Sequence, residues 1–243
     1  MDILKNLVRK SLSYAGVELI RTTQNPRKTL LGMSQLQINT IIDVGANNGQ
    51  FARAITETFP HAQILCFEPL PSTYDELKLW ADRQNGRVTV FNLAIGERDG
   101  MVDMFYHEDH SPSSSVLAST EITERIYPLT KRQEQIPVTL TSLDKALDGA
   151  GISIKDDILV KLDVQGYEDR VIRGGQATLR KARACIVEVS LDHLYAGQAD
   201  FKNIVSQLYD LGFAYKGNLD QIYDDDGHII FLDAVFARKR VGS

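Results

Sequence analysis

Three short blocks carry residues whose types and spacing suit the binding of a nucleoside-bearing ligand. The first is Ile41-Ile42-Asp43-Val44-Gly45-Ala46-Asn47-Asn48-Gly49, an apolar run that ends in a carboxylate and a glycine loop. Glycine lets the backbone turn tightly and lets a ligand come close. The spacing of Gly45 and Gly49 is not the G-x-G-x-x-G of dinucleotide binders, and the loop lacks the Lys-Ser/Thr ending of a triphosphate-binding loop. The second block is Phe67-Glu68-Pro69. An acidic residue that ends a second strand can accept hydrogen bonds from both hydroxyls of a ribose, and Pro69 removes a backbone donor and stops the strand. The third is Val90-Phe91-Asn92-Leu93-Ala94, a strand end against which an adenine could lie. Each signal is weak alone; in this order they predict ligand contacts at Asp43, Gly45, Ala46, Asn47, Gly49, Glu68, Pro69, Asn92 and Ala94, joined by Asp163.

The acids and bases of the later blocks could move protons. Asp163 ends an apolar run, Ile158 to Asp163, and Lys161 shares its face by two-residue periodicity. Asp163 is predicted to orient or deprotonate a second substrate, or to hold the amino group of the first ligand, or else to pair with Lys161. Glu168 fits a helix-fixing arginine partner, and Glu188 ends another strand toward the same cleft. His110, in a polar stretch, and His193, after Glu188-Val189-Ser190-Leu191-Asp192, are the histidines best placed to be bases. His107-Glu108-Asp109-His110 has ligand types without a recognised metal spacing, and Asp224-Asp225-Asp226-Gly227 lacks the later glutamate of a calcium loop. No metal is predicted. Ser113-Ser114-Ser115 shows no hydrolase pattern.

The elements that must position these residues follow from the patterning. Apolar runs at Thr40–Val44, Gln63–Phe67, Val88–Leu93, Ile158–Asp163 and Ala184–Val189 alternate with helical stretches, which predicts a doubly wound α/β sheet with parallel strands covered on both faces. Ligands of such sheets bind beyond the carboxyl ends of the strands, where the strand order reverses. Met101–Tyr106 and Gln135–Leu140 read as extra strands of an insertion near 101–140. Phe213–Tyr223 and His228–Ala237 read as a hairpin turned by Asp-Gly. At the start, Ile3, Leu4, Leu7, Val8, Leu12, Ala15 and Leu19 recur at helical spacing, predicting a helix packed on the domain, with a substrate lid, a homodimer contact or a membrane-surface helix as alternatives. Asn25-Pro26-Arg27 reads as a linker. The division is a helical extension and linker at 1–37 and a catalytic domain at 38–243.

Five blocks together are similar to FkbM-type methyltransferases: Asp43 to Gly49, Phe67-Glu68-Pro69, Asn92-Leu93-Ala94-Ile95-Gly96, Thr141-Ser142-Leu143-Asp144, and Val160 to Glu168 followed by Arg173-Gly174-Gly175. The resemblance covers roughly residues 38 to 238. It implies the class I methyltransferase (Rossmann-like) sheet, seven strands with the last antiparallel, S-adenosyl-L-methionine as methyl donor, and a hydroxyl oxygen as acceptor. The acceptor class it implies is a small molecule or glycan: a sugar, glycolipid or secondary metabolite. One departure stands out. Family members often carry Asp-x-Glu-Gly where this chain has Asp163-Val164-Gln165-Gly166, and glutamine is neither a carboxylate base nor a strong metal ligand. The alternatives are an NAD(P)-dependent oxidoreductase, against which the glycine spacing counts, and a non-catalytic cofactor-binding module.

Composition narrows the partners. A chain of 243 residues with 43% hydrophobic content can build one sizeable core. A net charge of -5 offers no general attraction to nucleic acid or anionic lipid. No apolar run reaches the roughly 20 residues of a transmembrane helix, and Met1 to Lys10 lacks the apolar core of a signal peptide, so a cytoplasmic protein is expected. Cys66 and Cys185 each sit in an apolar run and are predicted to be unpaired buried thiols.

Overall fold

The computed structural model describes residues 10–17 and 19–238. Its central sheet has seven strands in the order β3-β2-β1-β7-β8-β10-β9. These are β1 (Thr40–Val44), β2 (Gln63–Phe67), β3 (Val88–Phe91), β7 (Ile158–Leu162), β8 (Ala182–Ser190), β9 (Ala214–Tyr223) and β10 (Ile229–Ala237). All neighbours pair in parallel except β10, which runs antiparallel to both β8 and β9. The strand order reverses between β1 and β7, so their carboxyl ends open a crevice there.

Both faces of the sheet are apolar, which is why its inner strands read as continuous hydrophobic runs. Ile42, Val44, Phe67, Val160, Leu162 and Val187 pack on one face. Ile41, Ile64, Leu159, Ile186 and Val235 pack on the other. Helix α2 (Gln50–Thr58) follows the glycine loop and buries Ala52 and Ile55 on the second face. Helix α8 (Phe201–Asp210), capped by Asp200 accepting from the Asn203 amide at 2.7 Å, buries Ile204 and Leu208 on the first. Cys66 lies in the second core and Cys185 in the first, with β1 and β7 between their strands, and both thiols are free.

Some expectations need correction. The third strand stops at Phe91; Ala94–Gly96 is a separate strand, β4, in a second sheet ordered β4-β6-β5 with β5 (Gly100–Tyr106) and β6 (Glu134–Ser142). The extra strands read near 101–140 thus build a small sheet of their own.

Asn25-Pro26-Arg27 is not a free linker. Asn25 caps a helical turn, α1 (Pro26–Thr29), and the following 3-10 segment, Leu30–Gln35, buries Leu30 and Met33 in the second core. Arg27 pairs with Asp220 on β9. Part of the helix predicted over the first twenty residues lies outside the described residues; positions 10–14 are helical, and the described positions 10–17 are largely exposed rather than packed on the domain. No described helix is long and apolar enough to cross a membrane.

Two family-like blocks turn out to hold elements together. Asp144, in helix α5 (Leu143–Gly149), accepts from the amides of Ala177 and Thr178 and from the Thr178 hydroxyl, capping helix α7 (Gln176–Lys181). Gly174 ends helix α6 (Glu168–Gly174), where a Cβ would lie 1.8 Å from the carbonyl oxygen of Gly96.

Candidate active site

The glycine loop leaves β1 and is pinned to the end of β2. The amides of Gly45 and Ala46 both donate to the Phe67 carbonyl at 3.0 Å. Gly45 has φ 80°, and a Cβ there would stand 1.8 Å from the Asp163 carbonyl oxygen. Gly45→Ala is therefore expected to lose stability. The left-handed backbone alone costs a Cβ-bearing residue about 1–2 kcal/mol, and the clash must displace the Asp163 segment as well. Thermal unfolding of the variant, expected at lower Tm, checks this; an unchanged Tm refutes the close approach.

Glu68 organises the same loop. It is 3% exposed, and its two oxygens accept from the Asn47 amide at 2.8 Å and the Leu70 amide at 2.9 Å. Burial raises its pKa from 4.5 to about 7, although those two amides pull the other way. Asn47, in a left-handed conformation that asparagine tolerates, donates through its side chain to Ser111 Oγ at 3.3 Å and so ties the loop to the insertion.

Asp43 is fully buried, yet neither of its carboxylate oxygens has a hydrogen-bond partner. Its pKa is raised from 3.8 to about 6, by burial above all and by Asp163, with Lys161 and the nearby Ala52 amide, too poorly placed for a full hydrogen bond, opposing. Lys161 stands opposite Asp43 in the register of β1 and β7, and its ammonium lies 2.5 Å from Asp163 Oδ2 and over the Phe51 ring. Burial pulls the lysine pKa down, but Asp163, Asp43 and Asp233 together outweigh it, so the ammonium stays charged.

Beyond β7, Gln165 adopts φ 56° in a turn whose amides, Val164 and Gly166, donate to Glu168 Oε1 at 2.9 and 3.2 Å. Glu168 therefore holds this turn instead of pairing with an arginine. Gln165 Nε2 donates to Asp163 Oδ1 at 2.8 Å and to Glu188 Oε1 at 2.7 Å, and Gln165 Oε1 accepts from the Tyr195 hydroxyl at 2.6 Å. The serines pin the insertion down: Ser115 donates to the Gln165 carbonyl at 2.7 Å, and Ser114 Oγ accepts from the His107 amide at 3.1 Å.

The carboxyl ends of the central strands open into a cavity of about 1110 Å³. That exceeds the roughly 300–1,000 Å³ of ordinary small-molecule sites and leaves room for two ligands. Asp43, Gly45, Ala46, Asn47, Glu68, Pro69 and Ala94 line it, as do Asp163 and His110. His110 Nδ1 is 2.8 Å from Ser113 Oγ, and its ring stacks on Tyr127. Three expected contacts do not line the cavity. Gly49 is the left-handed cap of α2. Asn92 turns its side chain back to the carbonyls of Glu68 and Pro69. His193 is exposed in the loop after β8, where its carbonyl accepts from Thr120, so its ring is not placed to act as a base on a ligand in this cavity. His107 is buried within the insertion, and Glu108 pairs with Arg132. Among the described residues, no three His, Cys, Asp or Glu side chains converge to hold a metal ion.

The sequence profile of the methyltransferase FkbM domain matches residues 43–215. The chain belongs to the FkbM methyltransferase family. It is 32% identical over 216 residues to the 2-O-methyltransferase NoeI of Sinorhizobium fredii (strain NBRC 101917 / NGR234), covering 85% of this chain and 86% of that protein. Methyltransferase 1 of Beauveria bassiana (strain ARSEF 2860) is 24% identical over 183 residues, 72% of each chain. The crystal structure of methyltransferase FkbM from Methylobacillus flagellatus KT superposes with a TM-score of 0.51 at 11% identity, over 83% of this chain. This chain spans 44% of that one, and the likeness speaks for the fold. The sheet is that of class I methyltransferases, and the oxidoreductase alternative gives way to the family.

For this methyltransferase the sequence reading missed several cavity residues. Asp233, in β10, lines the cavity beside Glu188, its register partner. A signal was present, because Asp233 is the one charged residue in Ile229-Ile230-Phe231-Leu232-Asp233-Ala234-Val235-Phe236-Ala237. Tyr195 and Tyr127 line it from irregular segments that carry no pattern, and Arg27 and Lys28 from the supposed linker.

Proposed function

We propose that this protein is an S-adenosylmethionine-dependent O-methyltransferase acting on a hydroxyl of a sugar, glycolipid or secondary metabolite. The observation that carries the reading is Asp43, a fully buried carboxylate with both oxygens unpartnered at the wall of a large cavity. Buried carboxylates are costly unless something completes them. Around it the cavity wall carries Glu57, Glu68, Asp163, Glu188 and Asp233 against Lys28 and the paired Lys161, with Arg27 paired to Asp220. Such a wall favours a ligand with positive charge and disfavours the pyrophosphate of a dinucleotide.

The residues present fit the donor. Asp43 and the loop Gly45-Ala46-Asn47 would hold its amino-acid end, Glu68 its ribose, and Pro69 and Ala94 its base. When bound, the donor supplies an activated methyl group: as the acceptor oxygen bonds to the methyl carbon, the carbon–sulfur bond breaks and sulfur keeps the electron pair as a neutral thioether. The protein's part is alignment, exclusion of water and removal of the hydroxyl proton. The insertion carrying His110 overhangs the cavity, with its Ser111 bound to the donor loop. The hydroxyl acceptor is supported by the relative named as a 2-O-methyltransferase, and the small-molecule or glycan class by a cavity with aromatic and hydrogen-bonding walls at Tyr127, Tyr195 and Phe231.

Calorimetry with S-adenosylhomocysteine and with NADH tests the reading. Binding of the former without the latter is expected. Tight NADH binding in the absence of S-adenosylhomocysteine binding would overturn it.

A further inference from the structure

We propose that Glu188 is the residue that takes the proton from the acceptor hydroxyl, and that Gln165 and Tyr195 position it; the inference rests on the O-methyl-transfer reading above. The carboxylates at the cavity wall differ in what already engages them. Asp163 is held ionised by the Lys161 ammonium on Oδ2, while its Oδ1 accepts from Gln165, which makes it the weaker base. Glu68 has a backbone amide on each oxygen, and its remaining lone pairs are the ones assigned to the ribose of the donor. Asp43 lies at the end of β1, beneath the donor loop, and is assigned to the donor. Glu188 accepts from Gln165 through Oε1, which leaves Oε2 without a partner among the described residues at the cavity wall. Asp233 also lines the cavity, but it sits one strand further from the donor loop and no side chain fixes it. His110 lies on the insertion beside Ser111, whose partner is Asn47 of the donor loop.

Gln165 gives one amide hydrogen to each of two carboxylates, and the Tyr195 hydroxyl on its oxygen fixes which end faces them. Glutamate at this position would set a third carboxylate against Asp163 and Glu188 and could bridge them only when protonated. The residue that looked like a loss in the family-like block is thus the one that ties the base to Asp163. Its backbone is equally constrained, through the Glu168-held turn and the Ser115 hydroxyl.

The groups facing Glu188 are Asp163 and Lys161 from the β7 side, Asp233 from β10, Glu168 from α6, and the Tyr127 and Tyr195 hydroxyls. Burial, then the three carboxylates, holds the Glu188 pKa well above the ordinary carboxylate range, against the opposing pull of Lys161. A base raised in this way is better matched to a hydroxyl proton than an ordinary carboxylate. In the step, the acceptor O–H bond breaks, its proton moves to Glu188 Oε2, and the bonding pair stays on the oxygen that attacks the methyl carbon. The proton then leaves to solvent.

The test uses the full chain, radiolabelled S-adenosylmethionine and a panel of neutral methyl glycosides, together with NMR of isotope-labelled glutamate carboxyls with S-adenosylhomocysteine bound. Glu188→Gln is expected to lower kcat by about 100-fold or more while S-adenosylhomocysteine affinity stays unchanged. The carboxyl resonance missing from Glu188→Gln is expected to titrate above the ordinary carboxylate range in the native protein. In Gln165→Leu it should titrate higher still, because a donor to the ionised form is gone, and the rise of turnover with pH should move with it. Full turnover by Glu188→Gln overturns the inference. So does a Glu188 carboxyl that titrates as an ordinary glutamate, whether or not any glycoside is methylated. Failure of the native protein to bind S-adenosylhomocysteine would instead strike the donor reading on which this rests.

Discussion

Glu68→Ala is expected to lower the affinity for S-adenosylhomocysteine by about 100-fold or more and to loosen the loop that holds it. Two ribose hydroxyls donating to one buried carboxylate would each contribute about 1.5–3 kcal/mol, the range for hydrogen bonds to charged groups. The variant also strands the amides of Asn47 and Leu70, which now donate to that carboxylate. Each buried orphan costs about 1–3 kcal/mol, so Tm should fall along with affinity. Glu68→Gln retains one acceptor oxygen and should fall between the two. Because the Glu68 pKa is about 7, the ionised form that accepts best gains population as pH rises through that value, and affinity should climb with it. Calorimetry across this range decides the matter. An alanine variant with native affinity and no pH dependence would remove Glu68 from the donor site.

The blocks that read as chemistry divide into two kinds once folded. Asp43, Gly45, Asn47 and Glu68 were legible because a strand end, a tight turn and a second strand end recur in a fixed order along the chain. Asp144 and Gly174 belonged to equally recognisable blocks, yet one caps a helix and the other lets α6 approach β4. A motif records any position with little freedom, whether a ligand or a neighbouring backbone takes that freedom away. Asn92 shows the same ambiguity within one block, since its amide secures the strand end rather than facing the cavity.

What stayed hidden was mostly irregular backbone. Leu30 and Leu31 adopt left-handed conformations, so the buried residues between Asn25 and Gln35 fall on no helical or strand period and passed for a linker. His193 was placed by adjacency to a strand end, but the chain turns there, and Leu194 and Tyr195 go inward while the histidine faces out. Tyr195 fixes Gln165 from a distance of thirty positions in sequence, a pairing no local pattern encodes. Asp233 is different in kind. An acid within an apolar strand is a signal that periodicity can show, because a lone charge is costly there unless it faces a site.

Asp43→Asn is expected to stabilise the ligand-free protein while weakening its hold on the donor. The carboxylate is buried with neither oxygen in a well-formed hydrogen bond, although the Ala52 amide is turned toward it, and its folded pKa lies near 6 against an ordinary 3.8. That gap corresponds to about 3 kcal/mol of unfavourable burial at neutral pH, an upper bound on the gain because Lys161 loses an attractive neighbour in the variant. The sign follows from linkage. A carboxyl whose folded pKa is raised takes up its proton more readily when folded, so the penalty is present in full above about 6 and gone below 3.8. The Tm of the asparagine variant should therefore exceed that of the native protein at neutral pH, and the two should converge as pH falls through this window. Binding should move the other way. If Asp43 is kept for the positive charge of the donor, its loss should weaken S-adenosylmethionine by about tenfold or more, some 1.4 kcal/mol. S-adenosylhomocysteine, which carries the same amino-acid end, should be weakened by a similar factor. A variant that loses stability, or that binds both ligands as tightly as the native protein does, would show that Asp43 is held by the fold and not by the donor.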